Sequence, residues 1–295
     1  MQEIDSKIYP AKLVLFGEYS VIHGGDSLAI PYGKKYACWS YEPNQIDMRL
    51  SGFLDYLKSL QDLDLDLERF ESELQEGLYL KSNIPIGYGA GSSGSVVAAV
   101  YDRFGNSRET HDPSALKTIF SEMESFFHGS SSGLDPLVSY LDSGVYINKG
   151  EITTVQLSTN SILAKLFLFD TLESRSTSNL VSWYKTQSQE IEDFRDNIAD
   201  EMTKLSSDLI KQFLLQDEDK FESLFMNLSQ LQSEYLIPMF PSHIKDNLDR
   251  ITSLTDGGFK LCGAGGGGYF LGYMPRFVAD AIPDDLVKQI SSIVK

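Results

Sequence analysis

The spacing of apolar and polar positions changes period several times along the chain, and each change marks an element. From Ile8 to Trp39 the sequence is rich in strand formers: Leu13, Val14, Leu15 and Phe16, then Ser20, Val21 and Ile22, then Tyr36 to Trp39. The turns Gly17-Glu18 and His23-Gly24-Gly25-Asp26 divide that run into strands. A further strand is expected within Asp47 to Leu54, and helices over Phe53 to Leu60 and Leu67 to Gly77. Ser82 to Gly91 reads as a loop running into a helix of small and apolar residues, Ser92 to Phe104. The next helix is punctuated at both ends. Asp112 caps it, Pro113 suits its first position, Ile119, Met123 and Phe126 share a face, and Gly129 ends it.

Strands follow near Gly144 to Asn148 and Ile152 to Gln156, then a strongly apolar one at Ile162 to Phe169. Beyond Ser178 the pattern turns helical and charged. The spacing predicts a long helix over Trp183 to Phe213 and others over Lys220 to Leu236 and Ser242 to Leu254. Phe259 to Tyr273 reads as strand, glycine-rich loop, strand, and a last helix is expected over Asp284 to Val294. A strand-rich first half and a helix-rich second half indicate an α+β, two-lobed protein, with lobes expected at 1–165 and 166–295.

Composition narrows the function. The 295 residues suffice for about two domains. Asp plus Glu number 42 against 25 Lys plus Arg, a formal charge of −17, which argues against nucleic acid and anionic membranes as partners. A small anion stays possible, since a few local N–H groups outweigh a distant field. Two distant cysteines, Cys38 and Cys262, exclude a disulfide scaffold and a Cys-rich zinc site. With no basic-then-apolar opening and no long apolar run, a cytoplasmic location is expected.

Three stretches carry candidate chemistry. In Ile84-Pro85-Ile86-Gly87-Tyr88-Gly89-Ala90-Gly91-Ser92-Ser93-Gly94, glycines permit sharp turns before a helix whose first N–H groups are free. That is a phosphate cradle or, equally, a solvent loop with an ordinary serine cap. It is not a Walker A loop, because no Lys-Ser/Thr follows the last glycine. In the second stretch, Glu124 sits near the C-terminal end of an apolar helix, where the helix dipole disfavours a carboxylate unless a cation is near. Asp135-Pro136 follows the small-residue loop Gly129 to Gly133. A surface glutamate and a turn-initiating Asp-Pro fit the same residues. The third stretch, Phe259 to Tyr273, places five glycines between alternating apolar runs, a notch where a ligand can touch main chain or a plain glycine-rich hairpin.

These stretches, with Pro10-Ala11-Lys12-Leu13-Val14-Leu15-Phe16-Gly17-Glu18-Tyr19-Ser20-Val21-Ile22-His23-Gly24, resemble the galactokinase, homoserine kinase, mevalonate kinase and phosphomevalonate kinase (GHMP) superfamily in order and spacing over nearly the whole chain. Within it the sequence is most similar to the mevalonate kinases. Glu124, His128, Gly129, Ser132, Gly133 and Asp135 fall in register with E-x-x-x-H-G-x-x-S-G-x-D. Departures are Tyr19 for the usual His, Ala90 for Leu, Gly94 for Ala, and Cys262 for Thr or Ser. Gly91-Ser92-Ser93-Gly94-Ser95 is also similar to phosphomevalonate kinases.

The resemblance implies an N-terminal lobe like the second domain of ribosomal protein S5 and a ferredoxin-like C-terminal lobe. It implies ATP and Mg²⁺ as cofactors. Gly87, Gly89, Ala90, Gly91, Ser92 and Ser93 would bind the phosphates, and Ser93 and Glu124 the metal. Asp135 and Lys12 would be catalytic. Glu18, Tyr19, Thr177 and Ala264 would face the acceptor, beside a glycine loop of Gly263, Gly265 and Gly266. Mevalonate is the favoured acceptor, in isoprenoid biosynthesis, and a homodimer is the expected assembly. Another kinase of the superfamily, acting on phosphomevalonate or a sugar, and a non-catalytic ligand-sensing relative are the alternatives. Cys262 is expected to be a buried small residue, and His128 to order its loop.

Overall fold

A computed structural model describes residues 2–3, 7–61, 63–106, 112–174, 177–275 and 282–294. The chain forms two compact units: Met1–Lys12, Ile30–Pro85 and Ala90–Val145 make the first, and Leu13–Ala29, Ile86–Gly89 and Tyr146–Lys295 the second.

The first unit is built on a long strand. β1 (Gln2–Glu3) and β2 (Tyr9–Phe16) both pair with β3 (Ser27–Tyr41). The β3 segment from Ala37 to Tyr41 also runs antiparallel to β4 (Leu78–Ser82), which follows α1 (Met48–Ser59) and α2 (Leu67–Gln75). The strand expected near Asp47 is helix instead. Asp47 accepts hydrogen bonds from the N–H groups of Arg49 and Leu50, and this cap starts α1 early. Three helices complete the unit: α3 (Ser92–Phe104), α4 (Pro113–His128) and α5 (Leu134–Leu141). Trp39, Phe53, Phe70, Phe104 and Phe120 are fully buried in its core.

Helix α4 follows its punctuation. Asp112 accepts from Ser114 N and Ala115 N, Pro113 is at the start, and Gly129 ends it. Its buried stripe is Leu116, Phe120, Met123 and Glu124, turned from the expected Ile119 face. Phe126 instead packs on Phe53 and Tyr56 of α1. Helix α5 escaped sequence reading, because an Asp-Pro pair after glycine suggests a turn. Here Pro136 lies in the first turn, where a proline's missing N–H costs nothing.

β5 (Gly144–Asn148) begins in the first unit and ends in the second, where it leads through Lys149 and Gly150 to β6 (Glu151–Val155). A four-stranded antiparallel sheet follows, made of β7 (Leu166–Asp170), β8 (Gly258–Leu261), β9 (Tyr269–Tyr273) and β10 (Ile290–Ser292), in the order β10-β7-β9-β8. With α6 (Thr177–Glu190), α7 (Glu192–Phe194), α8 (Asp200–Leu215), α9 (Glu218–Tyr235) and α10 (Ser242–Thr255) between β7 and β8, and α11 (Asp284–Val287) between β9 and β10, this is the ferredoxin-like strand order.

Four sequence expectations are corrected here. Ser20 to His23 form a 3₁₀ turn rather than a strand. The strand expected from Ile162 starts only at Leu166, because Asn160 accepts from the N–H groups of Ile162 and Leu163 and turns the chain into a 3₁₀ helix. The helix expected over Trp183 to Phe213 is broken at Ile191, which is extended, and continues through a π-helical stretch, Arg195–Ala199. The break lets Phe194 pack edge-on against Trp183 and Tyr184. The last helix shrinks to α11, since the edge of β7 offers Ile290 to Ser292 a ladder.

Candidate active site

The first unit gathers four separated stretches around the start of α3. Its N-cap is Gly91, in the left-handed region at φ 74°, and no side chain caps the helix. The serine-cap alternative therefore does not hold: Ser92 and Ser93 are the first two helical residues, and the first-turn N–H groups are left for an anion. Ala90 is buried, and its carbonyl accepts from Lys12 N at 2.8 Å, which ties the loop to β2.

Lys12, only 7% exposed, places its Nζ 2.8 Å from Asp135 Oδ1. Asp135 stands in the first turn of α5, which also begins from a left-handed glycine, Gly133, without a side-chain cap. Helices α3 and α5 come unusually close here. A Cβ added to Gly94 would lie 2.7 Å from Asp135 C and from Pro136 N, distances that real Cβ atoms do not show. Gly94 departs from the usual alanine because the Asp135 backbone occupies that space.

On the other side of the α3 start, Ser93 Oγ donates to Glu124 Oε1 at 2.8 Å and lies 2.9 Å from His128 Nε2. Ser131 Oγ donates a short hydrogen bond to Glu124 Oε2 and accepts from Gly133 N at 3.0 Å. Glu124 is 2% exposed. Burial, and next the charge of Asp135, push its carboxyl up to about 7, against the pull of the Ser131 and Ser93 hydroxyls and of Lys12. Two carboxylates thus lie near each other, with the Lys12 ammonium paired to Asp135. That arrangement fits a divalent cation, a hard ion taking carboxylate and hydroxyl oxygens together with phosphate and water. Among the described residues no cluster of three or more His, Cys, Asp or Glu could hold a metal unaided.

The other candidate residues lie in the second unit. Gly87 and Gly89 both have positive φ, 80° and 67°. Between them, Tyr88 packs its ring on Tyr269, and a Cβ on Gly268 would strike the Tyr88 carbonyl at 2.8 Å. The glycine loop linking β8 to β9 therefore abuts Tyr88, between Gly87 and Gly89.

Tyr19 is buried, stacks on Tyr184 with ring centroids 4.4 Å apart, and donates from its hydroxyl to Ala264 O at 2.8 Å. Glu18 is buried as well, paired with Lys260 at 2.9 Å and accepting from Gln232 Nε2 at 2.6 Å. Gly263, Gly265 and Gly266 all have positive φ. Cys262 is buried, with Sγ 3.3 Å from Val14 O, as expected of a small packed residue. Thr177 opens α6, its side chain outside the described set, and Arg175 and Ser176 lie outside the described residues.

Each unit thus brings its own predicted residues together: Lys12, Ser93, Glu124 and Asp135 in the first, Glu18, Tyr19 and Ala264 in the second. Ser131, Gln232 and Lys260 were not singled out. A lysine at the head of the glycine loop was the one legible signal, while Gln232 sits in an ordinary helical period.

Comparison with known proteins finds similarity to GHMP kinases. The sequence model of the GHMP kinases N terminal domain matches residues 56–143. A mevalonate kinase from Thermococcus sibiricus is 27% identical over 302 residues, covering 90% of this chain and 88% of that protein. Among solved structures, the L. major mevalonate kinase in complex with R-mevalonate superposes with a TM-score of 0.64 at 18% identity, covering 97% of this chain and 90% of the other. The Streptococcus pneumoniae phosphomevalonate kinase in complex with phosphomevalonate and AMPPNP gives 0.62 at 15% identity, with 98% of both chains covered.

Proposed function

We propose that this chain, similar in sequence to the GHMP kinases N terminal domain and to mevalonate kinases, transfers the γ-phosphoryl group of ATP to the primary hydroxyl of mevalonate, giving 5-phosphomevalonate. The observation that carries this reading is the Lys12–Asp135 pair at the uncapped start of α3, with Ser93 and Glu124 beside it. Phosphoryl transfer asks for positioning and charge stabilisation more than for covalent chemistry, and these residues supply both.

The α3 N–H groups and the Gly89 to Ser93 backbone hold phosphate oxygens. Lys12 offers an ammonium to the charge that develops on the transferring group. Asp135 accepts the proton of the acceptor hydroxyl. Ser93 and Glu124 would hold Mg²⁺, with His128 and Ser131 orienting their oxygens. When bound, the ion neutralises charge on the phosphate oxygens. Ala264 and Tyr19 are assigned to the acceptor side. No described helix is long and apolar enough to cross a membrane.

The deciding experiment is ADP release from MgATP with mevalonate, beside phosphomevalonate and galactose. Saturable release with mevalonate alone is expected. Release only with phosphomevalonate would move the chain to that branch, whose Gly-Ser-Ser-Gly-Ser string it shares. Silence with all three, alongside MgATP binding, would leave a ligand-sensing relative.

A further inference from the structure

The family resemblance implies that Glu18 faces the acceptor, yet both of its oxygens are occupied inside the second unit. Oε2 meets Lys260 Nζ at 2.9 Å, and Oε1 accepts from Gln232 Nε2 at 2.6 Å. Lys260 is fully buried, and its ammonium has exactly as many acceptors as donors: Glu18 Oε2, Leu15 O at 2.9 Å and Leu261 O at 2.6 Å. Gln232, also fully buried, closes the circuit by accepting from Leu261 N at 2.9 Å. Both backbone groups of Leu261 are therefore held by side chains.

Leu261 is where such support is needed. It is the last residue of β8, and its pairing with Phe270 is the last rung of the β8–β9 ladder. Past it the chain becomes the glycine loop, in which Gly263, Gly265, Gly266, Gly267 and Gly268 all adopt positive φ. Such a segment loses much conformational entropy on ordering and needs anchors. It has them at Cys262 on Val14 O, at Ala264 O on Tyr19, at Gly266 N on Met239 O and at Gly268 N on Glu173 O.

We infer that Lys260, clamped between Glu18 and Gln232, is a positioning residue that sets the trajectory of the Gly263–Gly268 loop, and that Glu18 acts through it rather than by touching the acceptor. The inference rests on the proposed kinase reading, which puts this loop on the acceptor side. A buried ion pair is weak evidence for stability as such and better evidence for specifying one arrangement. Here the specified arrangement is the exit of β8 into the loop.

The polarity of the circuit gives the test. Glu18→Gln alone sets two amide NH₂ groups against each other, and Gln232→Glu alone sets two carboxylates together. The double variant E18Q/Q232E restores a complementary partner for every donor and acceptor, with the negative charge moved along one residue. Each single variant is expected to raise the KM for the acceptor at least 10-fold while changing the KM for MgATP less than 3-fold. Amide hydrogen exchange of residues 262–268 should quicken in the same variants. The double variant should recover both readouts to within about 3-fold of wild type.

Singles that melt at lower temperature yet keep wild-type KM values and exchange rates while folded would overturn the inference. So would a double variant that regains its melting temperature but neither readout. A wild type without acceptor-dependent ADP release would sink the kinase reading instead. The exchange rates would still decide whether the circuit sets the loop.

Discussion

Asp135 and Glu124 are both carboxylates in the first unit, and their surroundings separate their roles. Asp135 is partly open and paired with Lys12, which suits the proposed role of meeting an acceptor. Asp135→Asn is expected to lower kcat by about 10³-fold or more while MgATP affinity changes little, measured by steady-state kinetics and calorimetry. Near-wild-type turnover would remove Asp135 from the chemistry. Glu124 is buried, and its carboxyl is raised from 4.5 to about 7. A raised acid stabilises the fold below its unfolded value and loses that contribution as pH climbs through the folded one, so at pH 8 ionised Glu124 is a net cost. A shift of that size corresponds to about 3 kcal/mol at most, and the weakened serine hydrogen bonds offset part of it. In Mg²⁺-free buffer at pH 8, Glu124→Gln should therefore stabilise the protein by about 1–2 kcal/mol in denaturant melts, while Mg²⁺-dependent activity collapses.

Among the elements, the contact of α3 with α5 sets the geometry of the site. Gly94 lets the α3 backbone approach Asp135 and Pro136 as closely as it does. Gly94→Ala, which restores the residue usual in related motifs, should here force the helices apart, costing about 1–3 kcal/mol in stability. It should also lower kcat by about 100-fold, because small displacements of a positioned group are expensive. Equal or better activity would show that the helices relax freely. The start of α4 was legible from Asp112 and Pro113, since a cap and a proline act within one turn. Helix α5, the break at Ile191 and strand β10 were not. A proline in a first turn, an aromatic cluster of Trp183, Tyr184 and Phe194, and a free edge on β7 are all settled by partners distant in sequence.

At the scale of the whole molecule, a formal charge of −17 accompanies a site proposed to receive an anion. The diffuse field repels MgATP, while the local α3 dipole and Lys12 attract it at short range. Salt screens the longer-range repulsion more, so kcat/KM for MgATP should hold or rise, by about 2-fold, as salt goes from roughly 0.05 to 0.3 M. A steep fall would mean that an attractive long-range field dominates. The order of the four motifs, the glycine positions, the acidic balance and the two-lobed α+β class were written in the sequence, because turn chemistry, capping and charge are properties of neighbouring residues. Tertiary structure alone decided which groups face each other. Lys12 reaches Asp135, Ser93 finds Glu124 and His128, Tyr19 turns to Ala264, and Glu18 is taken up by Lys260 and Gln232. Those pairings join residues up to 245 positions apart, and only packing can close such distances.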